Sequence, residues 1–250
     1  MVLGRMEAHL DDTTSFQCLV GGLPVERTWP WEYKAPFSPA DIIAEYVRPA
    51  RMRIDGVEVT RPALSDVELV GFPGLGSLEA FHTDGLRSLL RTSKTPNMVE
   101  KTMRYPGHAV RMRILREAGC FSTKQVQAAS GLVVPRDVTE ALLFNAWKFE
   151  EGEPDLTVMR ITVVGEKDGA RVRHTYNLLD YYNPDTETMS MARTTGYTCT
   201  AMANLVARGL WSEPGLAPPE VVGRNPDCFD AVVAHLEARG VHIFQRVDEL

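Results

Sequence analysis

A chain of 250 residues, 44% hydrophobic and 24% charged, has the composition of an ordinary globular protein with enough length for a sizeable core. Its 27 lysines and arginines against 33 acidic residues leave a net charge of −6, and no run approaches the roughly 18 apolar residues of a membrane span, so neither nucleic acid nor a membrane is expected as a partner. Arg5 and Glu7 stand where a signal peptide needs an apolar core, and Cys18, Cys120, Cys199 and Cys228 form no C-x-x-C pair, so a cytoplasmic chain with reduced thiols and no metal site is expected.

The residues up to about Thr14 are polar and mixed, and Ser15 to Val20 alternates as a strand entering a sheet does. Val20 to Pro39 packs glycines, prolines, Trp29, Trp31 and the pair Tyr33-Lys34 into a stretch with no helical period, which reads as a shaped loop. Such a loop is either a packed Ω-type cover on the core or a ligand wall with Gly21-Gly22 allowing close backbone approach. Ser38 and Pro39 open a short helix that turns Ile42, Ile43 and Tyr46 inward. Two segments joined by Asp55-Gly56 predict a hairpin with a type I′ turn. The cluster Gly71 to Gly76 has the spacing G-x-x-G-x-G and runs into an extended segment, so it is not a dinucleotide fingerprint. Thr83 or Asp84 is the expected cap of a helix carrying Leu86, Leu89 and Leu90, with free N–H groups for an anion as the alternative role of that start.

The dense K-T-M-R-Y-P-G-H at Lys101 to His108 precedes a helix with Val110, Ile114, Leu115 and Ala118 inward and Gly119 as its stop. Arg104 offers either a bidentate carboxylate partner or a structural ion pair, and His108 reads as a surface residue at a helix start. Pro135 opens a helix with Val138, Leu142 and Ala146 inward. A long antiparallel hairpin turns at Glu166-Lys167-Asp168-Gly169, and on its second strand Val172, His174, Tyr176 and Leu178 share one face. Ser190 to Gly209 is a helix rich in small residues whose start, Arg193-Thr194-Thr195-Gly196, is a candidate anion site or a close helix contact. A last helix runs from Pro226 to a stop at Gly240, and V-H-I-F-Q is a final strand. The class expected is α/β, or α+β in style, with a mixed, largely antiparallel sheet covered by helices.

The ordered motifs G-G-L-P, Y-K-x-x-F-S-P, E-Y-x-R-P-A, F-P-G-x-G-x-L-E-A-F, T-D-G-L-R, R-Y-P-G-H, D-L-T-V-M-R and A-R-T-T-G-Y resemble the saccharopine dehydrogenase family, above all its lysine 6-dehydrogenase-like members. The resemblance implies a substrate-binding and dimerisation domain over 15–190 and a C-terminal helical segment over 191–250 that packs on a Rossmann domain. It implies hydride transfer between NAD or NADP and the C–N carbon of an amino acid or amine, and a homodimer. No G-x-G-x-x-G turn occurs in these residues, so activity is expected only with a cofactor domain supplied elsewhere, for instance by a separate Rossmann subunit. The other expectation is a non-catalytic dimeric amino-acid-binding or interaction module. Carried onto this sequence, the resemblance places Gly21, Gly22, Leu23, Tyr33, Thr83, Asp84 and Arg104 along the substrate. It makes Lys34 or His82 the proton acceptor and sets Arg193, Thr194 and Gly196 toward the cofactor.

Overall fold

Two turns in which an Asp-Gly pair adopts positive φ organise much of the sheet. The computed structural model describes residues 1–250, the side chain of Pro39 excepted. In chain order it contains α1 (Val2–His9), β1 (Asp12–Pro24), α2 (Pro39–Val47), β2 (Ala50–Ile54), β3 (Val57–Arg61), β4 (Glu68–Phe72) and β5 (Gly76–His82). Then come α3 (Leu89–Thr92), β6 (Asn97–Arg104), α4 (His108–Glu117), β7 (Val126–Ala128), β8 (Gly131–Val133) and α5 (Pro135–Trp147). The last third holds β9 (Asp155–Lys167), β10 (Ala170–Tyr181), α6 (Ser190–Ala207), α7 (Pro219–Gly223), α8 (Pro226–Glu237) and β11 (Phe244–Glu249). Asp55 and Gly56 (φ 48° and 81°) close β2 on β3, and Asp168 and Gly169 (φ 52° and 78°) close β9 on β10, as type I′ hairpins require.

Nine strands form one sheet in the order β11-β10-β9-β1-β6-β2-β3, with β5 also paired to β6 and β4 to β5. β1 runs parallel to β6 and antiparallel to β9, and every other pairing in the sheet is antiparallel. Because side chains alternate, Phe16, Cys18, Val20 and Gly22 of β1 share a face with Met98, Glu100, Thr102 and Arg104 of β6. That face is covered. Val2, Leu3 and Met6 of α1 pack on Phe16, Met98 and Val163, while Leu178 meets Ala201 and Leu205 of α6 and Val232 and Leu236 of α8. A third cluster joins Ile42, Ile43 and Tyr46 to Phe81, Met112, Leu143 and Trp147. On the opposite face only one end is closed, where Leu19, Leu23, Leu156 and Val158 meet Phe72, Leu78 and Met103.

Several sequence expectations are corrected. β1 continues through Gly21 and Gly22 to Pro24, because both of its edges are paired and Gly22 still faces Thr157 in register, so the shaped segment is a loop only after Pro24. The polar start holds α1, whose Gly4 passes so close to α7 that a Cβ would fall 1.9 Å from the Glu220 carbonyl oxygen. Thr83 and Asp84 cap no helix, since the next helix starts at Leu89 after Ser88. α4 is rotated from the expected face: His108, Ala109 and Met112 are buried, and Val110 and Ile114 are exposed. α5 likewise buries Leu143 and Trp147 and exposes Val138 and Leu142. Ser38 stands at the N-cap of α2, but its side chain makes no capping hydrogen bond, and the final strand begins three residues later than V-H-I-F-Q suggests. No helix among the described residues is long and apolar enough to cross a membrane.

Candidate functional site

A cavity of 640 Å³ lies between the covered end of the sheet and the first turns of α6. Its floor is Val20, Gly21 and Gly22 of β1 with Thr157 and Met159 of β9, and its roof is Met191, Thr194, Thr195 and Gly196 of α6. Pro36 and Phe37 close one side and Leu236, Val241 and Ile243 another. Gly22 is what lets α6 come this near, since a Cβ there would sit 2.2 Å from the Met191 sulfur. A Cβ on Gly21 would fall 2.5 Å from the Met103 carbonyl oxygen.

The charged group in this otherwise uncharged lining is Arg104, at the end of β6 and 4% exposed. Its guanidinium carbon lies 4.5 Å from the centroid of the Tyr33 ring, Nη1 donates to the Met103 carbonyl at 2.9 Å, and Nη2 donates to the Tyr33 hydroxyl at 3.4 Å. Glu45 stands 3.8 Å away, and the buried Nε has no partner. Arg104 is thus a desolvated cation with a spare donor, which is what a carboxylate ligand requires. Tyr33 in turn packs edge-on against His108 and Trp147.

His108, expected at the surface, is 1% exposed. Its Nε2 is 2.8 Å from the Tyr46 hydroxyl and its ring stacks on Phe81. Burial, with the Arg104 charge nearby, pushes its pKa well below the ordinary histidine value, so the ring is neutral. This aromatic box fixes the orientation of Tyr33 beneath Arg104.

The remaining candidates scatter. Leu23 is fully buried in the core. Lys34 pairs with Glu153 at 2.6 Å, outside the cavity lining. His82 lies on the other face of the sheet, 3.1 Å from Asp66. Thr83 donates to the Glu100 carboxylate at 2.8 Å, and Asp84 takes a bidentate pair of hydrogen bonds from Arg51 at 2.9 Å. Thr194 and Gly196 line the cavity, but Arg193 turns away to Asp180, the Tyr181 carbonyl and the Arg239 carbonyl.

The anion site read at the start of α6 is filled from within the chain. Asp155, which the sequence reading passed over, accepts from the Ser190 and Met191 amides at 2.6 and 2.9 Å. Glu79 and Asn225 do the same for α4 and α8. With no glycine-rich turn and no open amide cluster at the cavity among the described residues, the pyrophosphate of NAD or NADP does not fit here. The described residues also hold no group of three or more His, Cys, Asp or Glu side chains able to bind a metal.

A mixed, largely antiparallel sheet of this order with helices on one face differs from the parallel doubly wound sheet of a dinucleotide-binding fold. Saccharopine dehydrogenase (L-Glu forming) from Saccharomyces cerevisiae, in its apo form, superposes with a TM-score of 0.74 at 17% identity, over 96% of this chain and 67% of that one. Homospermidine synthase from Legionella pneumophila, solved in complex with NAD, superposes with a TM-score of 0.57 at 12% identity, over 95% of this chain and 53% of that one. At these identities the likeness is one of fold. The profile of the saccharopine dehydrogenase C-terminal domain matches residues 2–241, and the chain belongs to that family.

Proposed function

We propose that this chain is the substrate-binding part of an NAD(P)-dependent amino-acid or amine oxidoreductase of the lysine 6-dehydrogenase or saccharopine dehydrogenase type, acting at a C–N carbon. The observation that carries the reading is Arg104, buried, charged and with Nε unpartnered in the wall of a 640 Å³ cavity. In this reading Arg104 holds the substrate carboxylate, Tyr33 supports the guanidinium from below, and Gly21-Gly22 with Thr194 and Gly196 shape the space for the rest of the ligand. The redox step belongs to a nucleotide held by another module, a Rossmann domain or subunit, and the active form is a homodimer. The misfit of the pyrophosphate favours one second reading, a non-catalytic dimeric module that binds amino acids.

Calorimetry of the chain with L-lysine, L-saccharopine and cadaverine, which lacks a carboxylate, tests the shared core of both readings. The expected result is at least tenfold weaker binding of cadaverine, with the difference abolished in Arg104→Gln. Equal affinity for lysine and cadaverine in the unmodified chain refutes the role of Arg104. Amine-dependent NAD(P)H formation on addition of a cofactor-binding partner separates the enzyme from the binding module.

A further inference from the structure

Glu45 is the one carboxylate within ion-pair distance of Arg104 among the described residues, and it comes from a rigid support. Ile42, Ile43 and Tyr46 of α2 are fully buried, and the Tyr46 hydroxyl is tied to His108, so the helix delivers Glu45 to a fixed place. Its Oε2 stands 3.8 Å from Arg104 Nη2, with the side chain 39% exposed. That is an ion pair too long to be a hydrogen bond, and among the described residues no donor of the chain hydrogen-bonds the Glu45 carboxylate.

The acidic side chains nearest along the sheet are engaged elsewhere. Glu79, the cross-strand neighbour of Arg104, accepts from the Gly107 and Ala109 amides, and Glu100, on the same face of β6, accepts from Thr83 and Gly85. Glu45 is thus the acceptor left open beside the guanidinium.

The geometry of the guanidinium gives this a consequence. Nη1 already donates to the Met103 carbonyl, so the fork open to a carboxylate is Nε with Nη2. Nη2 is also the atom that Glu45 approaches. A bare carboxylate on that edge meets a second carboxylate sharing the same cation, and the two like charges repel. A cation placed between them removes the conflict. An α-amino acid carries one in the right position, because its ammonium sits on the carbon that bears the carboxylate. An amine without a carboxylate leaves Arg104 unmet, and a carboxylate without an α-ammonium is opposed by Glu45.

We infer that Glu45 is a specificity-determining residue of this site: with Arg104 it forms a clamp for a zwitterion and selects ligands with an ammonium on the carbon next to their carboxylate. The inference rests on the role of Arg104 proposed above and adds the second half of the recognition.

Calorimetry of the full chain tests it with L-lysine, with 6-aminohexanoate, which keeps the carboxylate and terminal ammonium of lysine but lacks the α-ammonium, and with cadaverine. The parent chain binds 6-aminohexanoate at least about tenfold more weakly than lysine. Glu45→Gln, a neutral replacement of the same shape at a half-exposed position, makes lysine and 6-aminohexanoate bind alike, while cadaverine stays weaker than either because Arg104 is intact. A merely structural Glu45 would weaken lysine and 6-aminohexanoate together and preserve the gap between them. Equal binding of lysine and 6-aminohexanoate by the parent, with cadaverine still rejected, overturns the inference and leaves the role of Arg104 standing. A gap that survives in Glu45→Gln overturns it too. Cadaverine bound as tightly as lysine, or no binding of any of the three, overturns both.

Discussion

Glu100 is a carboxyl group on the covered face of β6, 8% exposed, and replacing it by glutamine is predicted to make the protein more stable above neutral pH. Both of its hydrogen bonds end on one oxygen, Oε2, which accepts from the Thr83 hydroxyl at 2.8 Å and the Gly85 amide at 3.0 Å. Oε1 is left to carry a proton. Burial pushes the group from 4.5 up to about 7; the Thr83 hydrogen bond works against this, and the nearby Glu45 charge adds to it. Between those pH values the folded chain keeps a proton that the unfolded chain releases, so this contribution to stability is complete below pH 4.5 and lost as pH rises to about 7. At about 1.4 kcal/mol per decade the loss amounts to about 3 kcal/mol. Glu100→Gln keeps an acceptor for Thr83 and Gly85 and cannot ionise. Urea unfolding from pH 4.5 to 8 should show the variant gaining about 3 kcal/mol over the parent across this range, a comparison in which the other carboxylates cancel. Parallel stability curves for the two proteins would show that Glu100 ionises as freely in the fold as in the unfolded chain and would refute the argument.

Asp155→Ala leaves the Ser190 and Met191 amides without their acceptor and should cost about 2 kcal/mol, read as a lower urea midpoint with an unchanged slope. Trp147, 1% exposed between Trp31 and Tyr33, is the largest fully buried side chain; Trp147→Ala should cost about 3–5 kcal/mol and loosen Tyr33 beneath Arg104, so amino-acid affinity falls as well. Gly22→Ala collides with the Met191 side chain and should cost about 1–3 kcal/mol in thermal unfolding while narrowing the cavity against the larger ligands first.

Where local chemistry decides structure, the sequence was informative. Asp55-Gly56 named its own turn type, Glu166 to Gly169 the place of a turn, Ile42, Ile43 and Tyr46 their own helix face, and the alternation of Val172, His174, Tyr176 and Leu178 their shared side. Partners distant in sequence decided the rest. His108 looked like a surface residue because Tyr46 and Phe81, which receive it, lie far back in the chain. Thr83 and Asp84 looked like caps because Glu100 and Arg51 claim them only across the sheet. Of the candidate site residues, Gly21, Gly22, Arg104, Thr194 and Gly196 converge on one cavity. His82 is paired with Lys101, an odd number of residues from Arg104 along β6, and that parity alone puts it on the opposite face. Glu100 was open to discovery by the same rule: Met98, Glu100, Thr102 and Arg104 form one side of a strand, and a carboxylate there meets Thr83 and Gly85 rather than water.

The parallel pairing of β1 with β6 and its antiparallel pairing with β9 bear on how the chain comes to fold. About 130 residues separate Pro24 from Asp155, so on the ribosome β1 waits on the order of ten seconds for its second neighbour to be made. Through that interval a strand carrying Phe16, Leu19, Val20 and Leu23 has an unpaired edge, the kind of surface that recruits the wrong strand. The hairpin of β9 and β10 is a local structure, ready as soon as it emerges, and closing it onto β1 completes the centre of the sheet in one step. Misassembly in this protein is therefore a hazard of the nascent chain, relieved when β9 arrives.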